Sequence, residues 1–201
     1  MRTIDFYFDF SSPYGYFMSE KIDALAAQHG RTVIWRPILL FAVLRSLGLP
    51  PPFEHPVKRE YITADFARSA QFLDIDYQVP PQFPTLTQYA ARAFYLLQIK
   101  SPTHSVPFAK TVLRNYFCNG HDISNIDVIA KLVCAQSGAF GTQEDVCDLL
   151  KADEAKTLLQ NAITKAVEKN VFGSPFIVID DESFFGVDRL PHIAKKLAAS
   201  A

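Results

Sequence analysis

Residues 3–18 read TIDFYFDFSSPYGYFM, and this stretch decides the fold. From residue 3 to residue 9, apolar and polar side chains alternate strictly, which predicts a β-strand. Ser12 is a favoured N-cap residue, and Pro13 suits the first position of a helix, where its missing N–H costs no hydrogen bond. We therefore predict a strand that leads through a short turn into a helix beginning at about Pro13.

The segment after this helix completes a βαβ unit. Gly30 is placed to end the helix. Residues 32–36 are β-branched and aromatic, which favours a second strand. Because one short helix connects the two strands, we expect them to lie parallel in the same sheet.

The middle of the chain, residues 39–169, has a different character. Proline-rich joints at residues 50–52 and 80–84 separate segments with helical spacing, and few of these segments resemble strands. The predicted helices cover residues 61–73, 87–100, 106–118, 127–137, 142–151 and 154–169, with Thr142 as an N-cap. Residues 39–169 are therefore predicted to form a large inserted helical domain.

The β pattern returns near the end of the chain. Residues 175–179 predict a strand, and a turn at residues 180–182 leads to a second hairpin strand at residues 183–185. Asp188 is placed to cap a C-terminal helix. The predicted fold is thus α/β: a discontinuous thioredoxin-like domain of residues 1–38 and 170–201, with the all-helical domain inserted between its halves.

Composition argues against several classes of protein. Hydrophobic residues make up 49% of the chain and charged residues 20%, as in an ordinary globular protein. The 20 basic residues balance the 21 acidic ones, which gives no general attraction to nucleic acid or to an anionic membrane. There is no signal-peptide pattern and no apolar run of about 18 residues. We expect a cytoplasmic protein with no nucleic-acid or membrane partner.

The cysteines and histidines offer no redox pair or metal site. Cys118, Cys134 and Cys147 are widely spaced and form no CxxC pair, so buried free thiols are the simplest interpretation. The five histidines lack the spacing of metal ligands such as HExxH. No metal is expected.

Three weak signals point to a binding site. Ser12 would lie at a helix N-terminus, where free N–H groups and the helix dipole favour an anion such as a thiolate; a plain N-cap is the alternative. A cis Ser174-Pro175 bond would turn the Ser174 backbone toward the cleft, although trans bonds are more frequent. Asp188, beside a second helix N-terminus, would suit the ammonium group of a zwitterion, or would only cap the helix.

In their order and spacing, these residues resemble the 2-hydroxychromene-2-carboxylate isomerases, members of the DsbA-like group close to the kappa-class glutathione transferases. The resemblance covers essentially the whole chain and rests on DFYFDFSSPY at 5–14, WRP at 35–37, PVKREY at 56–61, VFGSP at 171–175 and FGVDRL at 185–190. It implies a thioredoxin-like fold with a helical insertion, commonly a homodimer. The implied cofactor is glutathione and the implied substrate a small electrophile.

The resemblance also implies residue roles. Ser12 stands where thioredoxins carry a nucleophilic cysteine and would bond to the sulfur of glutathione as the catalytic residue. Ser174, before a cis Pro175, would pair its backbone with the cysteinyl part, and Val187 and Asp188 would take the γ-glutamyl group. The predicted cofactor-binding residues are Ser12, Lys58, Ser174, Pro175, Val187 and Asp188. In the isomerase the thiolate adds to the conjugated substrate and later leaves, so glutathione is not consumed.

Three leucines depart from the family pattern. Leu49 stands where the family has an asparagine beside glutathione, and Leu86 stands where it places polar groups near the substrate. Leu44 replaces a lysine suited to a carboxylate. These changes predict an apolar acceptor pocket. Lys58, taken without the resemblance, is more typical of a solvated helix start.

Three functions stay open at this point. The leading one is a glutathione-dependent isomerase or kappa-like transferase that acts on an aromatic or conjugated electrophile. A disulfide oxidoreductase is disfavoured because no cysteine lies between Phe10 and Tyr16. A DsbA-like binding module without redox activity is the third, and the loss of a hydrogen bond at Leu49 keeps it open.

Overall fold

A computed structural model of the protein describes residues 2–199, and in this range it contains one four-stranded sheet. The strands are β1 (Thr3–Phe8), β2 (Thr32–Pro37), β3 (Phe176–Ile179) and β4 (Glu182–Phe185). Their order is β2-β1-β3-β4, with β1 parallel to β2 and antiparallel to β3, and β3 antiparallel to β4. The two ends of the chain therefore share a sheet, as predicted.

Helices surround this sheet and fill the chain between β2 and β3. They are α1 (Pro13–Gln28), α2 (Leu40–Ser46), α3 (Pro56–Leu73), α4 (Gln88–Lys100), α5 (Pro102–Phe117), α6 (Ile126–Gln136), α7 (Gln143–Lys151), α8 (Asp153–Glu168) and α9 (Leu190–Ala199). Short 3-10 turns occur at Gly138–Phe140 and Val187–Arg189. The six predicted helices of the middle segment are confirmed, and Thr142 caps α7 through a capping box with Asp145.

Helix α1 begins and ends where the sequence predicts. The Ser12 side chain caps its N-terminus and Pro13 occupies its first position. His29 is the C-cap, and Gly30 follows in the left-handed conformation with φ 64°. Phe17 and Ile22 are fully buried. The helix therefore fixes the position of Ser12 through its own cap and its packing on the core.

Helix α2 was not predicted, and the structure shows why. Its N-cap residue, Leu39, makes no side-chain capping bond. The carboxylate of Asp9 instead accepts the N–H of Leu40 at 2.7 Å. Because this cap comes from a residue at the end of β1, no local signal marks the start of α2.

The prediction that Asp188 caps the last helix is wrong. The chain passes Gly186, whose φ is 103°, and makes a 3-10 turn at Val187–Arg189 before α9 starts at Leu190. Asp188 lies inside this turn, and its carboxylate pairs with Arg189 at 2.6 Å. The complete turn takes the place of the extended N-cap residue that the prediction required.

One apolar core joins the sheet to the helices. Phe6 and Phe8 of β1 pack against Trp35 of β2, and the same buried cluster continues into α4, α5 and α8. The division into residues 1–38 with 170–201 and residues 39–169 stays a prediction, and its residues 1, 200 and 201 lie outside the described part. No helix within residues 2–199 is long and apolar enough to cross a membrane.

Candidate active site

Ser12 lies at the N-terminus of α1, directly beyond the carboxyl end of β1. Its Oγ accepts the N–H of Gly15 at 3.1 Å and donates to the carbonyl oxygen of Ser174 at 2.9 Å. Within residues 2–199 the N–H of Tyr14 has no hydrogen-bond acceptor. The end of the helix thus presents a hydroxyl and an unused N–H, both of which favour an anionic ligand atom.

Ser174 stands opposite Ser12 in the loop before β3. The Ser174-Pro175 peptide bond is cis, as the resemblance implies. Ser174 is buried, its carbonyl accepts the Ser12 hydroxyl, and its own Oγ accepts the N–H of Asp9 at 2.9 Å. No acceptor for the Ser174 N–H occurs in the described range. This N–H therefore has no partner within the chain, and the carbonyl keeps one lone pair.

Gly15 allows the two serines to approach each other. A Cβ atom at this position would lie 2.9 Å from the Ser174 Oγ and 3.2 Å from the Ser12 Cβ. Such distances are too short for unstrained packing. Because Gly15 has no side chain, the cis-proline loop can approach the N-terminus of α1.

Asp9 is the functional residue that the sequence analysis missed. Its carboxylate is buried on the floor between β1 and α1 and accepts the N–H and O–H of Ser11, the N–H of Leu40 and the O–H of Thr87, each at 2.7–2.9 Å. Burial raises the pKa of Asp9, and these hydrogen bonds oppose the rise. The alternation of β1 placed Asp9 only among the polar positions of the strand; its spacing to Ser11, typical of an Asx turn, was the available signal.

Ser11 cannot take the place of Ser12 without breaking this arrangement. Its side chain is buried, and its hydroxyl proton goes to Asp9 at 2.9 Å. The Ser12 hydroxyl lies instead between the helix end and the cis-proline loop. The structure therefore gives the two neighbouring serines different partners.

A pocket with a volume of about 330 Å³ opens above these residues. Asp9, Ser11, Ser12 and Ser174 contribute polar groups, and Tyr14 and five phenylalanine rings contribute to its walls. The phenylalanine rings belong to Phe41, Phe53, Phe66, Phe172 and Phe185. Leu44 and Leu49 also line the pocket, so the predicted apolar acceptor pocket exists at both positions. Leu86 does not line it and is 67% exposed.

Four of the predicted cofactor-binding residues lie outside this lining. Lys58 is exposed in the first turn of α3, one turn before Ile62, which does line the pocket. Pro175 follows Ser174 into β3 without reaching the lining. Val187 and Asp188 line a second pocket of about 430 Å³ with residues of α3 and α9. The structure therefore brings Ser12 and Ser174 together, whereas the other four predicted residues lie outside the pocket that these two line.

Tyr14 lines the first pocket, and its hydroxyl group interacts with the charge of Asp188, which lines the second pocket. The Tyr14 hydroxyl donates to the carboxylate of Asp65 at 2.6 Å. Burial raises the pKa of Tyr14, and the charges of Asp65 and Asp188 raise it further. Tyr14 therefore stays a neutral donor, while its hydrogen bond lowers the pKa of Asp65.

Among the described residues, no cysteine lines this pocket. The cysteines at 118, 134 and 147 are free. In the described range, no group of three or more His, Cys, Asp or Glu side chains is placed to hold a metal ion. The reactive group available from the chain itself at the end of α1 is the Ser12 hydroxyl.

Comparison with known proteins gives consistent matches over nearly the whole chain. The sequence matches the DSBA-like thioredoxin domain family over residues 3–198. A 2-hydroxychromene-2-carboxylate isomerase of Sphingobium xenophagum is 28% identical over 199 residues, which are 98% of each chain. A glutathione S-transferase kappa 1 of Caenorhabditis elegans is 28% identical over 208 residues, 98% of this chain and 91% of the relative.

Solved structures agree on the fold. A 2-hydroxychromene-2-carboxylate isomerase structure superposes with a TM-score of 0.85 at 24% identity and covers 98% of this chain and 95% of its own. The cytosolic disulfide reductase DsbM of Pseudomonas aeruginosa with GSH has a TM-score of 0.66 at 11% identity and covers 98% of both chains. The predicted thioredoxin-like fold with a helical insertion and the predicted resemblance are confirmed.

Proposed function

Because the chain belongs to the DSBA-like thioredoxin domain family, we propose that it is a glutathione-dependent isomerase or transferase acting on an aromatic or otherwise conjugated electrophile. The relatives that match it over nearly their whole length are named isomerases and glutathione transferases, which supports an enzyme of that type. One observation carries the proposal. The Ser12 hydroxyl caps α1 beside a cis-proline loop, on the floor of an apolar pocket.

The polar groups around Ser12 fit the cysteinyl part of glutathione. When bound, glutathione supplies a nucleophilic thiolate. The Ser12 O–H bond can rotate away from the Ser174 carbonyl and donate to the sulfur, and the N-terminus of α1 lowers the pKa of a thiol held there. The free N–H of Ser174 suits a peptide carbonyl of the ligand. Ser12 is therefore the proposed catalytic residue.

The ends of glutathione would be held by residues outside the first pocket. Val187 and Asp188 form the proposed site for the γ-glutamyl group, where the exposed Asp188 carboxylate pairs with an ammonium. Lys58, exposed on α3, is the proposed partner of a glutathione carboxylate. Leu49 forms no hydrogen bond with the cofactor, so binding rests on the remaining contacts.

The two enzymatic forms of the proposal differ in the fate of glutathione. A transferase consumes one thiol for each product molecule, whereas an isomerase returns it. Titration of free thiol during turnover therefore separates them. Disulfide exchange is not favoured, because Ser12 stands at the helix end where an exchanging thiolate would have to be.

Three further properties are part of the proposal. The chain is proposed to act on a small molecule, to be cytoplasmic and to form a homodimer. The first follows from the size of the pocket above Ser12, about 330 Å³. Analytical ultracentrifugation tests the dimer, and a mass of one chain at all concentrations would refute it.

The proposed function is tested by calorimetric titration with reduced glutathione. We expect saturable binding to the protein and clearly weaker binding to Asp188→Ala, because the ammonium loses its carboxylate. The matched control is Asp181→Ala, which removes an exposed acid from the turn between β3 and β4. Absence of binding at millimolar glutathione would refute the proposal and favour a binding module without catalysis.

A further inference from the structure

The walls of the pocket above Ser12 are built for a small, flat and apolar molecule. Its volume, about 330 Å³, lies at the small end of the range for ligand pockets, roughly 300–1,000 Å³. Tyr14 and the five phenylalanines named above line the space, as do Leu44 and Leu49. Aromatic rings pack well against the edges and faces of such side chains. The part of a substrate that enters is therefore most stable when it is itself an aromatic ring.

Apart from the N-terminus of α1, the side chains around the pocket offer an anion no opposite charge. In the part of the chain that the structure describes, no Lys, Arg or His side chain lines it. Arg59 lies behind the wall, where its guanidinium donates to the carbonyl of Phe53 at 2.8 and 3.1 Å. Lys58 is exposed and outside the lining. The floor instead contains the carboxyl group of Asp9.

Once glutathione occupies the donors at the end of α1 and on Ser174, a substrate carboxylate would lose its hydration in the rest of the pocket without gaining a partner. Burial of a charge is unfavourable unless an opposite charge or several donors replace the water. The carboxyl group of Asp9 adds repulsion when it is ionised. A neutral ring of the same size loses no such hydration and gains the burial of its apolar surface. The charge of a substrate therefore determines whether it binds in this pocket.

We propose, on the basis of the proposed function, that the second substrate is an uncharged aromatic electrophile, with no carboxylate on the part that enters the pocket. This class excludes substrates such as the carboxylate in the name of the isomerase relatives. Leu49 is the specificity-determining residue at the pocket mouth, since it both lines the pocket and is 43% exposed. A cation at this position would reach a ligand carboxylate from the solvent side.

The first test compares two ligands of the same shape and different charge. Naphthalene-2-carboxamide and naphthalene-2-carboxylate are titrated calorimetrically into the protein saturated with reduced glutathione. The amide is expected to bind at least about tenfold more tightly. Equal binding, or tighter binding of the carboxylate, would overturn the proposal. The glutathione titration is done first and shows whether the cofactor binds, so a failure of this proposal is distinguishable from a failure of the proposed function.

The second test places a positive charge at the mouth of the pocket, at position 49. Leu49→Lys is expected to improve binding of the naphthalene carboxylate about tenfold relative to the amide. Leu86→Lys is the matched control, because Leu86 is also exposed but does not line the pocket, and it should leave the ratio of the two affinities unchanged. An equal change in both variants would show that selectivity comes from net charge, and the role of Leu49 would be rejected.

Discussion

The Oγ of Ser12 lies 2.9 Å from the carbonyl oxygen of Ser174, so one hydroxyl joins the start of α1 to the cis-proline loop. The same Oγ accepts the N–H of Gly15. It is therefore a helix cap, a structural bridge and the proposed donor to a ligand sulfur at once. Experiments on Ser12 must separate these roles.

Replacement of Ser12 by alanine is expected to destabilise the protein modestly and to abolish most thiol activation. The loss of an N-cap costs about 1 kcal/mol, and the buried Ser174 carbonyl loses its donor as well. Chemical denaturation measures the first effect, and turnover of a conjugated electrophile with glutathione measures the second. Unchanged turnover would remove Ser12 from the mechanism.

The control for this variant is Asn125→Ala. Asn125 caps α6 by accepting the N–H of Asp127 at 2.8 Å, and neither residue lines the pocket above Ser12. It should lose a similar amount of stability, about 1 kcal/mol, and keep full turnover. Equal losses of turnover in the two variants would mean that Ser12 acts only through stability.

Introduction of a thiol by Ser12→Cys probes the electrostatics of the helix end without glutathione. The N-terminus of α1 is expected to lower the pKa of this thiol below the ordinary value of about 8.5. Ultraviolet absorbance of the thiolate against pH measures it, with the wild-type curve subtracted. In Ser46→Cys, the control at the exposed C-terminal end of α2, the pKa should not fall. Equal values would contradict an anion-favouring site.

Gly15→Ala is expected to destabilise the protein although alanine is the better helix former. The new methyl group would press on Ser174 and Ser12, and overpacking of this kind costs about 1–3 kcal/mol. Glutathione binding should weaken, because the two serines move apart. Gly138→Ala is the control, since a Cβ there meets no atom within 4 Å. A stabilised Gly15→Ala variant with normal binding would refute the close packing.

Because Asp9 is buried, we expect the stability of the folded protein to depend on pH in an unusual way. Burial raises the pKa of Asp9, so the folded protein keeps this proton to higher pH than the unfolded chain does. As the pH rises above about 4, ionisation of Asp9 therefore makes the folded state less stable. Asp9→Asn removes this effect. The Tm of the variant minus that of the wild type is expected to increase between about pH 4 and pH 7.

Asp180→Asn is the control for this experiment. The ion pair with Arg31 lowers the pKa of Asp180, so this carboxyl is ionised in both states above about pH 4. Its Tm difference should be constant over the same interval. A constant difference for Asp9→Asn as well would show that Asp9 has no raised pKa.

The fold was predictable from sequence where its determinants are local. The alternation of β1 and the Ser12-Pro13 start of α1 lie within a few residues of each other, and the structure has both. Helix α2 was not predictable, because its cap comes from Asp9, 31 residues earlier. The same reason hid Asp9, whose partners Leu40 and Thr87 are close only in the folded chain.

The site, like the fold, was only partly predictable from the sequence. The pairing of Ser12 with a cis Ser174-Pro175 loop followed from the family resemblance and occurs in the structure. The prediction that Leu86 contributes to an apolar acceptor pocket was wrong, because alignment alone does not show which side chains face a pocket. The roles of Lys58, Val187 and Asp188 toward glutathione stay predictions.

The bridge between Ser12 and Ser174 also governs when the site can first exist. Its two residues are 162 positions apart in the sequence. At synthesis rates of about 5–20 residues per second, the loop that contains Ser174 is made on the order of 10–30 s after Ser12. A chain that stops short of residue 174 contains helices α1 to α8 but no completed site. The proposed thiol activation therefore requires a chain that extends past residue 174, and a shorter product is expected to be inactive.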